Sequence, residues 1–178
     1  YLAEQGIFTG TCLAGQHFFE PERPVSRAEF LAMTMACAGM DASAVTVTGF
    51  SDDAAIPAWA KAYAAAGLRQ GVVRGSATED GAAFRGEEAI TFREAAVMLD
   101  RALQLRDVDL ALCFAGTEDG SWAAQALGNL EYCSVLAAGS FGSPAMGETV
   151  TRADAARMIA SAAVLLEEKD PDLFAWLR

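Results

Sequence analysis

The sequence predicts a mainly α protein: three helix-loop-helix repeats around a pseudo-threefold three-helix bundle. Three observations carry this expectation. A block recurs three times, as GIFTG followed by FFEPERPVSRAEF (Gly6 to Phe30), GVVRG followed by FRGEEAITFREAA (Gly71 to Ala96), and CSVLA followed by VTRADAARMI (Cys133 to Ile159). The internal offsets agree: 21 residues from Gly6 to Arg27, 21 from Gly71 to Phe92 and 19 from Cys133 to Arg152. The hydroxyl residue opening the last segment of each block falls at Ser26, Thr91 and Thr151, giving periods of 65 and 60. A unit of about 60 residues used three times, each copy too small to bury its own apolar face, must stack on its neighbours.

Each hydroxyl is followed three residues later by a carboxylate: Ser26 by Glu29, Thr91 by Glu94, Thr151 by Asp154. That is capping-box spacing, with Asp the weaker partner, and it places negative charge at the positive end of a helix dipole. Behind each cap runs an apolar stripe at helical spacing: Phe30, Met33, Thr34 and Cys37; Ala95, Met98, Leu99 and Ala102; Ala155, Met158, Ile159 and Ala162. Three helices with matching apolar faces close most simply on one another.

A second helix type precedes the glycine turn. Trp59-Ala60 opens an Ala-rich run to Ala66 that is expected to end at Gly67, and Trp122-Ala123 opens one to about Tyr132. The unit is therefore helix, Gly-rich turn, polar loop and capped helix. The expected division is residues 1–48 for the first copy, lacking its first helix, 49–108 for the second, 109–169 for the third and 170–178 for a tail. Together they form one compact body. The tail, with Phe174 and Trp176, is expected to cap the open end. The β-prone stretch Val45–Gly49 reads as a linker.

Apolar residues are 53% and charged residues 21% of the chain, a globular balance. No apolar run reaches the roughly 18 residues that span a bilayer, so no membrane insertion is expected. No basic-then-apolar N-terminus marks a signal peptide. The net charge of −11 argues against nucleic acid, which demands a concentrated basic surface. The acidity is uneven: Lys61 to Arg106 holds seven Lys/Arg against six Asp/Glu. Four cysteines (Cys12, Cys37, Cys113, Cys133) lack CxxC spacing, which disfavours a zinc site. Buried free thiols are expected, with one disulfide as the alternative in an oxidising compartment. His17 is the only histidine, and no hydrolase, zinc-protease or P-loop spacing occurs. No metal, cofactor or catalytic residue is expected, and the chain does not read as an enzyme.

The second copy runs Phe50-Ser-Asp52, Trp59-Ala60, Gly71-Val-Val-Arg-Gly75, Phe84 and Ile90-Thr91. It resembles an S-layer homology domain, whose pattern is F-x-D, W-A, a G-I-I-x-G-like turn, F-x-P and I-T-R-A-E. The first copy matches through Phe19-Glu-Pro21 and Val25-Ser-Arg27-Ala-Glu29, and the third through Trp122-Ala123 and Val150-Thr-Arg152-Ala-Asp154. The resemblance covers nearly the whole chain. It implies a secreted, non-catalytic module of the Gram-positive cell wall or S-layer, of the kind that also occurs within a larger parent protein with other domains. Grooves between repeats would bind an anionic, carboxylate-bearing secondary cell-wall polymer.

The glycan-binding residues implied are Arg27, Asp52, Trp59, Gly71, Gly75, Trp122 and Arg152. Each also has a plain structural reading: a solvated first-turn arginine, an N-cap aspartate, a core tryptophan, a turn glycine. The copies depart from the pattern. Phe92 stands where the Arg belongs, with Arg93 about 100° further round the helix. Gly116 replaces the third Asp, and Cys133 and Ala137 replace both turn glycines. Arg27, with the Gly6–Gly10 turn, Asp52 and Trp59, is the best-equipped set. The alternative is a degenerate, S-layer-homology-like protein-interaction module that has lost glycan binding.

Overall fold

The computed structural model describes Ile7, residues 11–13 and residues 16–169. The Gly6–Gly10 turn and the 170–178 tail lie outside the described residues, as do the side chains of residues 11–18, including Cys12 and His17. The protein is mainly helical. In chain order come β1 (Thr11–Leu13), β2 (Gln16–Phe18), α1 (Arg27–Cys37), a 3-10 turn (Asp53–Ala55), α2 (Lys61–Arg69), β3 (Ser76–Thr78) and β4 (Gly81–Ala83). Then follow α3 (Phe92–Leu103), α4 (Leu110–Cys113), α5 (Ala124–Tyr132), a second 3-10 turn (Pro144–Gly147) and α6 (Arg152–Lys169). The strands make two antiparallel hairpins, β1 with β2 and β3 with β4.

The caps form as the spacing predicts. Ser26 and Glu29 exchange bonds across the start of α1, and Thr91 and Glu94 across the start of α3. At α6 the Asp154 carboxylate accepts from the Thr151 N–H at 3.1 Å, and the Asp154 N–H donates to the Thr151 hydroxyl at 3.2 Å. The shorter Asp still closes the box.

One position before each cap lies a fully buried β-branched residue: Val25, Ile90 and Val150. Their backbones close a ring. The Val25 N–H donates to the Val150 carbonyl at 2.9 Å, that of Ile90 to Val25 at 3.0 Å, and that of Val150 to Ile90 at 2.8 Å. The first N–H of each helix, which has no intrahelical acceptor, is satisfied from another copy's loop: Arg27 by Glu88, Phe92 by Glu148 and Arg152 by Arg23. Helices α1, α3 and α6 also contact one another pairwise. Every apolar residue of the three stripes is buried, and Thr34 with them.

Two details depart from the sequence expectation. Gly67 does not end α2 but lies inside it. A Cβ there would come 3.1 Å from Val73 and 3.2 Å from Leu31, so glycine lets α1 and the turn approach. The exit falls instead at Gly71, with φ +75°. Asp52 precedes the first 3-10 turn without capping it.

The capping carboxylates set the acid response. For Glu94, burial pushes the pKa up, but the Thr91 N–H and the Arg27 guanidinium outweigh it and hold the group below its usual value. Glu29 and Asp154 behave likewise, held by Arg23 and Ser26 and by Thr151 and Arg157. Asp53, bonded to Lys61 and Thr48, is held at about 2. Carboxylates with depressed native pKa values stabilise the fold above the unfolded value of about 4 and lose that contribution as pH falls through the native one. Asp100 runs the other way: burial and the nearby Asp107 push it up, so its contribution is lost as pH rises. The depressed groups outnumber it. Urea midpoints should therefore hold between pH 7 and 5 and fall steeply from pH 4 to 2; a midpoint that rises over that acid range contradicts the assignment.

Candidate functional site

Arg27, the first residue of α1, reaches away from its own helix. Its guanidinium donates to the carbonyls of Phe84 at 3.3 Å and Arg85 at 2.8 Å, and pairs with Glu94 at 2.5 Å. A weaker pair to Glu88 spans 3.7 Å, and the Arg27 side chain is only 12% exposed. Arg85 sits in the left-handed region at φ 56°, a costly conformation for a side-chain-bearing residue. Asp52 holds that bend: its two carboxylate oxygens accept from the N–H groups of Phe84 and Arg85, each at 2.7 Å. Asp52 fixes the loop, and the loop carbonyls fix Arg27.

The start of α6 repeats the arrangement. The Arg152 Nε donates to the Phe19 carbonyl at 2.7 Å, its guanidinium lies 5.5 Å from the Phe19 ring centroid, and Glu20 beside it is again left-handed at φ 51°. Arg152 is buried. Both helix-start arginines thus tie one copy of the pattern to the loop of another.

Beside Arg27 opens a groove of about 320 Å3, within the range of small-ligand sites. Its wall is the turn 72–76, its floor Phe84 and Met98, its edge Glu94 and Arg101, and its rim Trp122. Gly75 has φ +75°, and a Cβ there would lie 2.8 Å from the Ala83 carbonyl and 2.9 Å from the Phe50 ring, so no other residue fits. The Phe50 and Phe84 rings behind it stack at 5.3 Å. Trp122 is 69% exposed and so offers a free aromatic face.

The groove therefore brings together Arg27, Gly75 and Trp122, with Asp52 one layer behind. Trp59, 51% exposed, does not line it, nor do Gly71 and Arg152. Two arginines were missed: Arg74, inside the GVVRG turn, and Arg101, on α3. The second was legible, since Arg101 lies seven residues after Glu94, two turns along the same face.

A second groove of about 360 Å3 is lined by the positions that correspond by offset from the caps. Phe92 stands for Arg27, Asp154 for Glu94, Met158 for Met98, and Ser161 for Arg101; by its hydrogen bonds the turn 134–137 stands for 71–74, with left-handed Ser134 in the place of Gly71. Phe92 lines this groove and packs against the core. Arg93 is absent from its lining; it lies within 3.0 Å of where a Gly147 Cβ would be. Asp154 and Arg157 pair with each other.

Cys37 is a buried free thiol, its pKa pushed up to about 12 by desolvation, and Cys113 and Cys133 are also free. Among the described residues no cluster of His, Cys, Asp and Glu is arranged to hold a metal. No helix among them is long and apolar enough to cross a membrane. No protein-family model matches the chain, and comparison with curated proteins finds no match.

Proposed function

We propose that this chain is a non-catalytic cell-wall anchoring module that binds an anionic secondary cell-wall polysaccharide in the groove beside Arg27. In this reading the three copies form a pseudo-threefold bundle outside the cell, with α1, α3 and α6 at its centre. The backbone ring through Val25, Ile90 and Val150 supports the threefold relation. The observation that carries the functional reading is the groove itself. It combines arginines, a tight turn whose Gly75 packs against Phe50 and Ala83, and an exposed Trp122 face that suits the C–H surface of a sugar ring.

A specific observation favours the alternative, a degenerate interaction module without glycan binding. The terminal nitrogens of Arg27 already have protein partners, and Phe92 occupies the matching place in the second groove. Co-sedimentation with purified cell-wall sacculi separates the two. Anchoring requires retention on sacculi that keep their secondary polymer and release from sacculi stripped of it. Trp122→Ala should weaken retention about fivefold, ~1 kcal/mol for an aromatic face, with unchanged circular dichroism because the ring is exposed. Equal behaviour on both sacculi rejects anchoring.

A further inference from the structure

Arg74 and Arg101 face the same groove, yet among the described residues neither forms an ion pair or a side-chain hydrogen bond. Every other functional charge lining that groove is matched: Arg27 pairs with Glu94, a cation against an anion. What remains is two guanidiniums without an ion-pair partner, close enough to repel each other, on a protein whose net charge is −11. Burial and the neighbouring Arg74 both disfavour the charged form of Arg101, and only Asp100 opposes them. An anion entering the groove would relieve that repulsion. The second groove gives an internal comparison. There Ala137 and Ser161 stand where Arg74 and Arg101 stand in the first, and its one Asp and one Arg cancel. One groove carries a surplus of two positive charges, and its counterpart carries none.

We propose that Arg74 and Arg101 form a two-point clamp for a doubly charged oxyanion, a phosphomonoester carried on the polymer, and that this groove alone is charged for it. The assignment rests on the reading above only for where the polymer lies. A planar guanidinium presents paired N–H donors that match two oxygens of a phosphoryl group, and two arginines from different elements can hold three or four. A dianion matches the surplus, whereas a single carboxylate leaves one guanidinium uncompensated. Arg27, already spent on Glu94 and two carbonyls, shapes the wall and does not compete for the ligand.

Methyl phosphate, inorganic phosphate and acetate are the probes, titrated into the full chain by calorimetry at low ionic strength, where charge contacts are least screened. Methyl phosphate is a dianion at pH 8 and a monoanion at pH 5, because its second pKa lies near 6. It should bind at least about tenfold tighter at pH 8 than at pH 5, and tighter than acetate at either pH. Arg101→Gln and Arg74→Gln should each cost about tenfold, while Arg157→Gln in the second groove should change nothing. Both clamp side chains lack partners, so the variants should fold, which thermal melts check.

Acetate binding as well as methyl phosphate, or binding insensitive to Arg74→Gln and Arg101→Gln, overturns the clamp. Inorganic phosphate binding without methyl phosphate overturns the ester assignment in favour of free phosphate. Sacculus retention separates the two readings. If the phosphate data hold but sacculi are not retained, anchoring falls and the oxyanion site stands. If retention holds but acetate wins, the dianion falls and anchoring stands.

Discussion

Replacing Asn129 by Leu should destabilise the protein by about 3–5 kcal/mol, one of the largest effects of any single side chain here. Asn129, on α5, is fully buried and uses all its hydrogen-bonding capacity. Its amide N–H groups donate to Asp100 at 2.8 Å and Asp107 at 3.1 Å; its carbonyl accepts from the Val108 N–H and the Gln125 amide, each at 3.0 Å. One side chain thus joins α3, α5 and the irregular stretch 104–109. Leucine has nearly the same volume, so the loss is not a cavity. It strands the half-buried Asp100 carboxylate, with Asp107 beside it, and one backbone N–H. At 2–4 °C per kcal/mol for a chain of this size, the melting temperature should drop by roughly 10 °C. Asn129→Asp tells the mechanism apart. It sets a third carboxylate against Asp100 and Asp107, so it should be worst at pH 7 and recover as pH falls toward 4 and protons return. A deficit independent of pH would mean that packing, not charge, dominates.

That network marks where sequence reading stops. The caps at Ser26, Thr91 and Thr151 were legible because a capping box is local, spanning four residues. The stripes behind them were legible because their period is set by the helix. Gly75 reads in the sequence only as a turn glycine; the reason it must lack a side chain lies in Phe50 and Ala83, which only the fold brings near. The hairpins were not legible: their three-residue strands, Ser76–Thr78 and Gly81–Ala83, carry no alternation of apolar and polar positions. Gly67 reads as a helix end and instead serves contact with Leu31, a long-range demand that overrides a local signal. The roles of Asp52 and Arg27 were hidden for the same reason, since their partners Phe84 and Arg85 lie 32 to 58 residues away. Trp122 joins the groove of Arg27 from the third copy, and nothing in the local pattern says which copy supplies the rim.

Arg27→Ala should therefore be a stability variant before it is a binding variant. The substitution removes two bonds to loop carbonyls and the Glu94 pair, and leaves Glu94 half-buried beside an empty space. Breaking a fully buried pair costs about 3–5 kcal/mol; this one retains some solvent at Glu94, which places the expected loss at about 2–3 kcal/mol. Helix α1 itself should persist, because Ser26 and Glu29 still cap it. The loss should appear as loosening of the 84–86 bend, seen as faster amide exchange at Phe84 and Arg85. Lysine at position 27 should recover only part, since one ammonium cannot serve two carbonyls and a carboxylate in fixed directions. The pH dependence has a definite sign. Arg27 helps hold the Glu94 pKa down, so parent and variant should differ most above pH 5 and converge as pH falls through the native Glu94 pKa. A cycle with Glu94→Gln isolates the pair. Glutamine keeps the capping box, so Arg27→Ala should cost less in that background by at least about 1 kcal/mol. Additive losses would show that Arg27 acts through the loop carbonyls alone, and parent-like stability of Arg27→Ala would remove it from the architecture of the groove altogether.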